Sequence, residues 1–238
     1  MIERLLDLVW PRNCAACSRP VDRPGRHLCA DCLNRIPFIA STGACAICGR
    51  AIEGNAHEFT CDDCAAVRPA FDRAASAVRF EGRMRELILG YKFNRHLWLL
   101  DDFSDFLEAA VRARFDAAAV DVVLPMPTTW FHRMDRGYNP CAFLARQLAR
   151  RIDRRFDGRV LARQGSPRRQ SDLTADERFE NVKGTFAVRR AEWIRGRTVL
   201  VVDDILTTGA TLSEAAKTLK AAGAARVWAA TLARSVRT

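Results

Sequence analysis

The sequence predicts an α/β protein, in which a parallel sheet flanked by helices follows a small cysteine-rich domain. Apolar runs of strand length alternate with segments of helical periodicity over the last two thirds of the chain. Alternation of this kind favours a parallel sheet, because each helix returns the chain across a face of the sheet. Eight of the nine cysteines lie within residues 14–64, ahead of the first strand. We therefore expect two domains, residues 1–68 and residues 69–238, with a boundary near Pro69.

The elements of the larger domain are predicted from apolar spacing. Short apolar runs predict strands at residues 74–80, 121–125, 198–203 and 226–232. Apolar residues recurring every three or four positions predict helices at residues 84–93, 97–115, 137–155 and 211–222, and Gly223 ends the last of them. Residues 1–10 are predicted to form an amphipathic helix. Residues 163–184 are polar and lack periodicity, which predicts either a loop that closes over a substrate or an ordinary surface loop.

Charge and hydropathy narrow the class of protein. No apolar run approaches the length of a membrane span, and residues 1–10 are too short and too acidic for a signal peptide. We therefore expect a cytoplasmic protein without membrane insertion. The net charge is +10, and residues 133–169 carry eleven arginines against three aspartates. This basic stretch is either a solvated helix face or a phosphate-binding surface, because guanidinium groups bind phosphate in a bidentate manner.

The cysteines have the spacing of zinc ligands. Four Cys-x-x-Cys pairs supply them, formed by Cys14, Cys17, Cys29, Cys32, Cys45, Cys48, Cys61 and Cys64. In a cytoplasmic protein this spacing indicates zinc rather than disulfides, so we expect two structural Zn²⁺ sites. The first two pairs and the last two form a sequence repeat, which favours two ribbons in series and leaves an interleaved arrangement open. Cys141 stands apart and is interpreted as a small packed residue.

The most informative motif joins an apolar strand to two carboxylates and a small, hydroxyl-rich turn. Residues 199–202 are apolar, Asp203 and Asp204 follow at the carboxyl end, and residues 207–211 open the next helix. Open α/β sheets bind ligands at this edge, and a helix N-terminus offers backbone N–H groups to an anion. Carboxylates suit a ribose diol or Mg²⁺, and the turn suits a phosphate. The motif therefore predicts a sugar phosphate site.

This motif resembles the phosphoribosyl pyrophosphate (PRPP) signature of type I phosphoribosyltransferases. The resemblance implies that fold for residues 69–238, with Asp203 and Asp204 holding the ribose hydroxyls of PRPP and Mg²⁺ accompanying it. It also implies a catalytic role for both aspartates. The 5-phosphate would then lie in the turn formed by Thr207, Thr208, Gly209, Ala210 and Thr211. Enzymes for 6-oxopurines carry an acidic residue where this chain has Thr207, which argues against such a substrate.

Further segments extend the resemblance to the ComF family, in which zinc ribbons precede a phosphoribosyltransferase domain. These segments are residues 91–93, 125–127, 133–139 and 170–181. Pyrophosphate needs cations, so Lys92, Arg133 and Arg136 are candidate ligands, with ordinary surface charge as the alternative, chiefly for Lys92. By analogy with the pyrophosphate loop of type I enzymes, the tripeptide formed by Pro125, Met126 and Pro127 is a further candidate.

Three hypotheses about function follow. The first is an enzyme that transfers phosphoribosyl from PRPP to a nitrogen base, whose identity the residues leave open. The second is a module that senses PRPP or a nucleotide without reaction. The third, implied by the ComF resemblance, is an accessory protein of natural competence that contacts single-stranded DNA or a helicase. A site and a surface on one fold can serve different functions, so the three are compatible.

Overall fold

A parallel sheet of five strands forms the centre of the molecule. The computed structural model describes residues 12–21, 25–40, 42–50, 57, 59–128, 137–164 and 182–235. Within these ranges the sheet has the order β1-β7-β6-β2-β3, and all pairings are parallel. Its strands are β1 (Arg73–Arg79), β2 (Val122–Pro125), β3 (Arg155–Phe156), β6 (Thr198–Leu206) and β7 (Arg226–Arg234). The predicted fold class is confirmed.

Six α-helices are described, and the four longer ones belong to the larger domain. Two short helices lie in the cysteine-rich region, α1 (Ala30–Asn34) and α2 (Asp62–Ala66). The longer ones are α3 (Gly82–Phe93), α4 (Leu100–Arg114), α5 (Pro140–Arg151) and α6 (Ala210–Ala221). Short 3₁₀ turns cover Leu97–Leu99, Ala117–Ala119 and Ala191–Trp193. No described helix combines the length and the low polarity that crossing a membrane requires.

The pleat of β6 divides the core into two layers. Leu200 and Val202 pack on one side with α3, α4 and α5, whereas Val199 and Val201 pack on the other side with α6. Successive side chains of a strand point to opposite faces, so a continuous apolar run fills both layers. The cysteines divide in the same way. The first four adjoin the α3–α5 layer, and the last four adjoin the α6 layer.

Several predicted boundaries were wrong. The helix expected over residues 137–155 begins at Pro140 and ends at Arg151, because Asn139 caps its start and Asp153 adopts a left-handed backbone with φ of 54°. The strand expected to end at Asp203 continues to Leu206, since β7 pairs with it along that length. The antiparallel pair β4 (Leu161–Arg163) and β5 (Phe186–Val188) was not predicted, because each strand is only three residues long.

Two sequence predictions fall on residues that are not described. The amphipathic helix at residues 1–10 lies outside the described residues, and so does most of the polar loop, at residues 165–181.

Candidate functional site

The two aspartates of the motif lie near the carboxyl end of β6, in the middle of the sheet. Asp204 is buried and Asp203 is half-buried. The strand continues past them to Leu206 and pairs with β7 over that length, whereas its pairing with β2 ends at Val202. Both aspartates therefore sit inside the ladder rather than in a loop. Regular backbone pairing therefore fixes the positions from which the two carboxylate side chains extend.

Lys92 contacts the acidic pair directly. It lies in the last turn of α3, and its Nζ atom is 2.5 Å from Oδ2 of Asp204. Burial alone would lower the pKa of Lys92, but the charge of Asp204, the hydrogen bond to it and the charge of Asp203 together outweigh burial, and the pKa is raised. The structure thus brings Lys92 to the predicted site. Its partner there is the second aspartate, so in this state its charge serves to neutralise the carboxylates.

Cys141, near the start of α5, completes the immediate surroundings of Asp203. Its thiol donates to Oδ1 of Asp203 over 3.4 Å, and the backbone N–H of Asp204 donates to the same atom over 2.9 Å. Ligand atoms of these three residues lie within 4.8 Å of one another. Burial and the charge of Asp204 raise the pKa of Asp203 to about 6, although Lys92 and both hydrogen bonds oppose the rise. The site therefore holds a carboxyl group that gains its charge near neutral pH.

The turn at residues 207–211 joins β6 to α6 as predicted. Thr207 is exposed, Thr208 is half-buried, and helix α6 begins at Ala210. Gly209 is the N-cap residue and has a φ of 83°, in the left-handed region that favours glycine. Alternation of right- and left-handed backbone at a helix start turns N–H groups toward a common point and creates an anion-binding concavity. Thr211 lies in the first turn of α6 and is half-buried.

The tripeptide after β2 has little capacity to donate hydrogen bonds. Proline has no backbone N–H, so Met126 supplies the one donor of this segment, and it already bonds the carbonyl of Val202 over 2.7 Å. The carbonyl of Met126 accepts from Nδ2 of Asn139 over 3.0 Å. Pro125 and Pro127 therefore shape the edge of the site. Any backbone N–H donor to pyrophosphate would have to come from residues that follow Pro127.

Arg133 and Arg136, the predicted pyrophosphate ligands, lie outside the described residues. A cation that the sequence analysis missed is Arg163, at the end of β4. Its guanidinium carbon lies 5.4 Å from the centre of the Phe186 ring, and its buried Nε atom makes no hydrogen bond within the described ranges. Burial lowers the pKa of Arg163, and the charge of Asp203 opposes this. No sequence signal marked Arg163, because only the fold brings β4 near Asp203.

The two cysteine quartets each form a compact metal-binding cluster. Cys14, Cys17, Cys29 and Cys32 make one cluster, and Cys45, Cys48, Cys61 and Cys64 make the other. Tetrahedral Zn²⁺ with bonds of about 2.3 Å places its sulfur ligands roughly 3.8 Å apart. The measured separations are 3.7 Å between Cys17 and Cys29 and 3.6 Å between Cys48 and Cys61. The residues fit zinc, and the serial arrangement is confirmed over the interleaved one.

Backbone donors prepare one sulfur of each cluster for metal binding. Hydrogen bonds from the backbone and side chain of Arg19 lower the pKa of Cys17 to about 6. Burial would raise the pKa of Cys45, but N–H groups of the loop, including that of Cys61, lower it to about 7. Hydrogen bonds to a thiolate favour the charged form, which is the form that binds zinc.

Comparison with known proteins agrees with both parts of this architecture. Residues 134–237 match the phosphoribosyl transferase domain, and residues 5–65 match the double zinc ribbon domain. The two cysteine clusters are therefore the zinc sites of a double zinc ribbon. The boundary between residues 68 and 69 stays a prediction.

Three relatives are similar over most of the chain. Competence protein F of Haemophilus influenzae is 28% identical over 228 residues, which cover 94% of this chain and 97% of the relative. The DNA utilization protein YhgH of Escherichia coli is 26% identical, over 86% of this chain and 96% of the relative. Competence protein ComFC of Bacillus subtilis is 26% identical, over 90% of this chain and 86% of the relative. The chain therefore joins a double zinc ribbon domain to a phosphoribosyl transferase domain, and it is similar over most of its length to these competence and DNA utilization proteins.

Proposed function

We propose that the protein binds PRPP with Mg²⁺ and transfers its phosphoribosyl group to a nitrogen base, in the service of DNA uptake. The observation that carries the proposal is the buried acidic pair on β6, placed next to a helix start capped by Gly209. Carboxylates accept hydrogen bonds from a ribose diol, and the helix start binds the 5-phosphate. The names of the relatives, which refer to competence and DNA utilization, support the biological setting.

The proposed reaction exchanges one bond at C1 of the ribose for another. The bond from C1 to pyrophosphate breaks, the pyrophosphate leaves with the electron pair, and a nitrogen lone pair of the acceptor forms the new bond. Positive charge develops on the sugar in between. Asp203 and Asp204 stabilise that charge from fixed positions in the sheet, which is where electrostatic catalysis is most effective. Arg163 and Lys92 are the described cations closest to this chemistry and would favour the departing anion.

The same carboxylates suit Mg²⁺, because hard cations prefer oxygen ligands. The ion pair between Lys92 and Asp204 competes with that role. We therefore assign Mg²⁺ to the phosphates of PRPP, with Asp203 as the available carboxylate, because the ion pair of Lys92 is made with Asp204. When bound, the ion neutralises pyrophosphate. The protein orients the bound substrate and excludes water from beneath it.

The test combines binding and turnover. Calorimetry should show PRPP and ribose 5-phosphate binding to the wild-type protein, and Asp204→Asn should remove pyrophosphate release with every base tested. Loss of one charge-assisted hydrogen bond costs about 1.5–3 kcal/mol, or about 10- to 150-fold in rate, and loss of the charge that stabilises the positive sugar adds to it. Glu86→Gln is the matched control, since Glu86 is an exposed carboxylate on the helix that carries Lys92. Unaltered turnover in Asp204→Asn would refute the assignment. PRPP binding without pyrophosphate release from any base would favour the sensing module.

A second function, contact with single-stranded DNA, is supported by the basic stretch and by the relatives' names. The structure divides the four arginines at positions 150, 151, 154 and 155 into two groups. Arg151 is paired with Asp105 and Glu108, and Arg154 donates to the carbonyl of Ala117. Arg150 and Arg155 are exposed. DNA phosphates would therefore meet the exposed pair first.

Binding of a labelled single-stranded oligonucleotide at several salt concentrations tests this second function. Affinity should fall steeply with salt, and the Arg150→Gln/Arg155→Gln variant should reduce the slope by about 1.4, since each contact to a single strand contributes about 0.7. Binding that does not respond to salt would contradict the proposal.

A further inference from the structure

A buried arginine connects the second zinc ribbon to the central sheet. Arg234 is the last residue of β7, and only 7% of its surface is exposed. Its Nη1 atom donates to the carbonyl of Cys48 over 2.8 Å, and its Nη2 atom donates to Sγ of the same cysteine over 3.3 Å. Cys48 is itself buried and belongs to the second zinc cluster. The C-terminal strand thus touches a zinc ligand that lies 186 positions earlier in the chain.

Burying the guanidinium of Arg234 costs free energy unless a nearby anion neutralises its charge. Four thiolates around one Zn²⁺ carry a net charge of −2, so the second cluster supplies that anion once metal is bound. Burial raises the pKa of Cys48, and the charge of Arg234 opposes the rise. Contacts of this kind, made to a metal ligand by a residue outside the coordination sphere, orient the ligand and strengthen metal binding.

The end of β7 lies beside the residue that precedes the turn at 207–211. Arg234 lies opposite Leu206 in the sheet, and the N–H of Ser235 donates to the carbonyl of Leu206 over 2.9 Å. Leu206 directly precedes the turn and belongs to the same apolar core layer as the cysteines of the second cluster. A Cβ atom added to Gly209 would lie 3.5 Å from the Phe71 ring and 3.6 Å from Cδ1 of Leu206. One apolar layer therefore lies beneath the turn and around the second cluster.

The segment that leaves the second ribbon holds the helix after the turn as well. The N–H of Ala70 donates to Oγ of Ser213, in the first turn of α6, over 2.9 Å. The first ribbon has a different position. Its His27 N–H donates to Asp102 of α4, and its cysteines adjoin the opposite layer of the core. The two metal sites are thus not equivalent with respect to the turn.

We propose that Arg234 is a positioning residue that couples zinc at the second ribbon to the order of the turn at residues 207–211. With zinc bound, the four thiolates of the second cluster give it a net negative charge, which neutralises Arg234. Arg234 in turn fixes the ends of β6 and β7 from which the turn begins. Loss of the second zinc therefore loosens the turn, whereas loss of the first leaves it ordered. The consequence for phosphate binding rests on the function proposed above, but the coupling between zinc and turn does not.

The experiment uses the full-length zinc-loaded protein and compares Arg234→Met with Arg234→Lys and Arg114→Met. Arg114→Met is the matched control, because Arg114 donates to the carbonyls of Cys45 and Ala46 in the same ribbon. Zinc release to a chelator is followed with a chromogenic indicator. Backbone hydrogen exchange of peptides covering residues 204–213 is followed by mass spectrometry.

Arg234→Met should release one of its two zinc ions roughly 10- to 100-fold faster than the wild type, the usual effect of removing a partner of a metal ligand. Backbone hydrogen exchange at residues 204–213 should also be faster in this variant than in the wild type. Arg234→Lys should restore most of both properties, and Arg114→Met should change release less than Arg234→Met does. Equal release from wild type and Arg234→Met, or release without faster exchange in the turn, would overturn the proposal.

Partial zinc removal from the wild-type protein gives the same test without a substitution. Protection of the turn should disappear in step with the second zinc, identified by which cysteines become reactive toward a thiol reagent. Protection that follows the first zinc, or neither, contradicts the coupling. Calorimetry with ribose 5-phosphate is run in parallel. A wild-type protein that fails to bind it refutes the proposed function, while the release and exchange results still decide the coupling.

Discussion

Replacement of Lys92 by methionine tests the ion pair at the centre of the site. Methionine keeps much of the length and apolar character of lysine but removes the charge, so Asp204 is left buried beside Asp203 without its cation. Breaking a fully buried ion pair costs about 3–5 kcal/mol, and breaking an exposed one costs about 0.2–1 kcal/mol. The side chains of Lys92 and Asp204 are 24% and 8% exposed, which places this pair between the two limits. We expect a loss of about 2 kcal/mol in the free energy of unfolding.

The chain offers a matched control in a second lysine–aspartate pair. Nζ of Lys220 lies 2.6 Å from Oδ1 of Asp72, nearly the same distance, but the two side chains are 35% and 36% exposed. Solvent screens this pair, so Lys220→Met should cost less than about 1 kcal/mol. In a chain of this length, about 2 kcal/mol corresponds to a fall in melting temperature of roughly 4–8 °C. The two ion pairs thus have nearly the same N–O distance and differ in how deeply their side chains are buried.

Thermal denaturation of the zinc-loaded protein near pH 7.5 measures both effects. A double-mutant cycle with Asp204→Asn isolates the pair, because Lys92→Met should cost far less when Asp204 carries no charge. If Lys92→Met proves no more costly than Lys220→Met, or if the two substitutions of the cycle are additive, the reasoning from burial fails.

Three further predictions concern the carboxylate, the turn and the metal. The pKa of Asp203 is raised, so its ionisation opposes folding, and its contribution to stability is full at low pH and lost as pH rises through about 6. Asp203→Asn should therefore be more stable than the wild type at pH 7.5 and lose that advantage toward pH 4. The affinity of the wild-type protein for ribose 5-phosphate should weaken below about pH 6. A stability difference between variant and wild type that does not depend on pH would contradict this prediction. Gly209→Ala should cost about 1–2 kcal/mol for its left-handed backbone and should also weaken ribose 5-phosphate binding. Gly196→Ala, with a similar φ of 68° far from the turn, should cost as much without affecting binding, and equal binding by both variants would rule out a role for the turn. Removal of both zinc ions should expose eight reactive thiols and lower the unfolding temperature of the whole chain, measured by thiol titration and denaturation, since both clusters pack into the two core layers.

Local patterns in the sequence were sufficient to predict the sheet, the longer helices and the zinc ligands. The apolar run of β6 and the paired cysteines each follow from spacing within a few dozen residues, so their signals are local. The short strands β3, β4 and β5 escaped prediction because their pairing depends on neighbours far away in the chain, and strands of two or three residues carry no detectable period.

The acidic pair was visible in the sequence, but its electrostatic surroundings were not. Lys92 is 112 positions from Asp204, and the sequence showed it as one more cation near a helix end. Arg163 and Cys141 gave no signal at all, because their roles arise only when β4 and the start of α5 meet the end of β6. A charged side chain acquires its function here from the dielectric and the partners that the fold provides.

The same reasoning explains why Arg234 can connect two distant parts of the chain. In the sequence it is a basic residue close to the C-terminus, where surface exposure is the usual expectation. The fold instead ends β7 against the second ribbon, so its guanidinium is buried and must find an anion there. A lysine at this position would keep the positive charge, whereas the forked guanidinium of Arg234 also reaches both the carbonyl and the sulfur of Cys48. The physical requirement for neutralising this one buried charge is what links the metal-binding domain to the sheet.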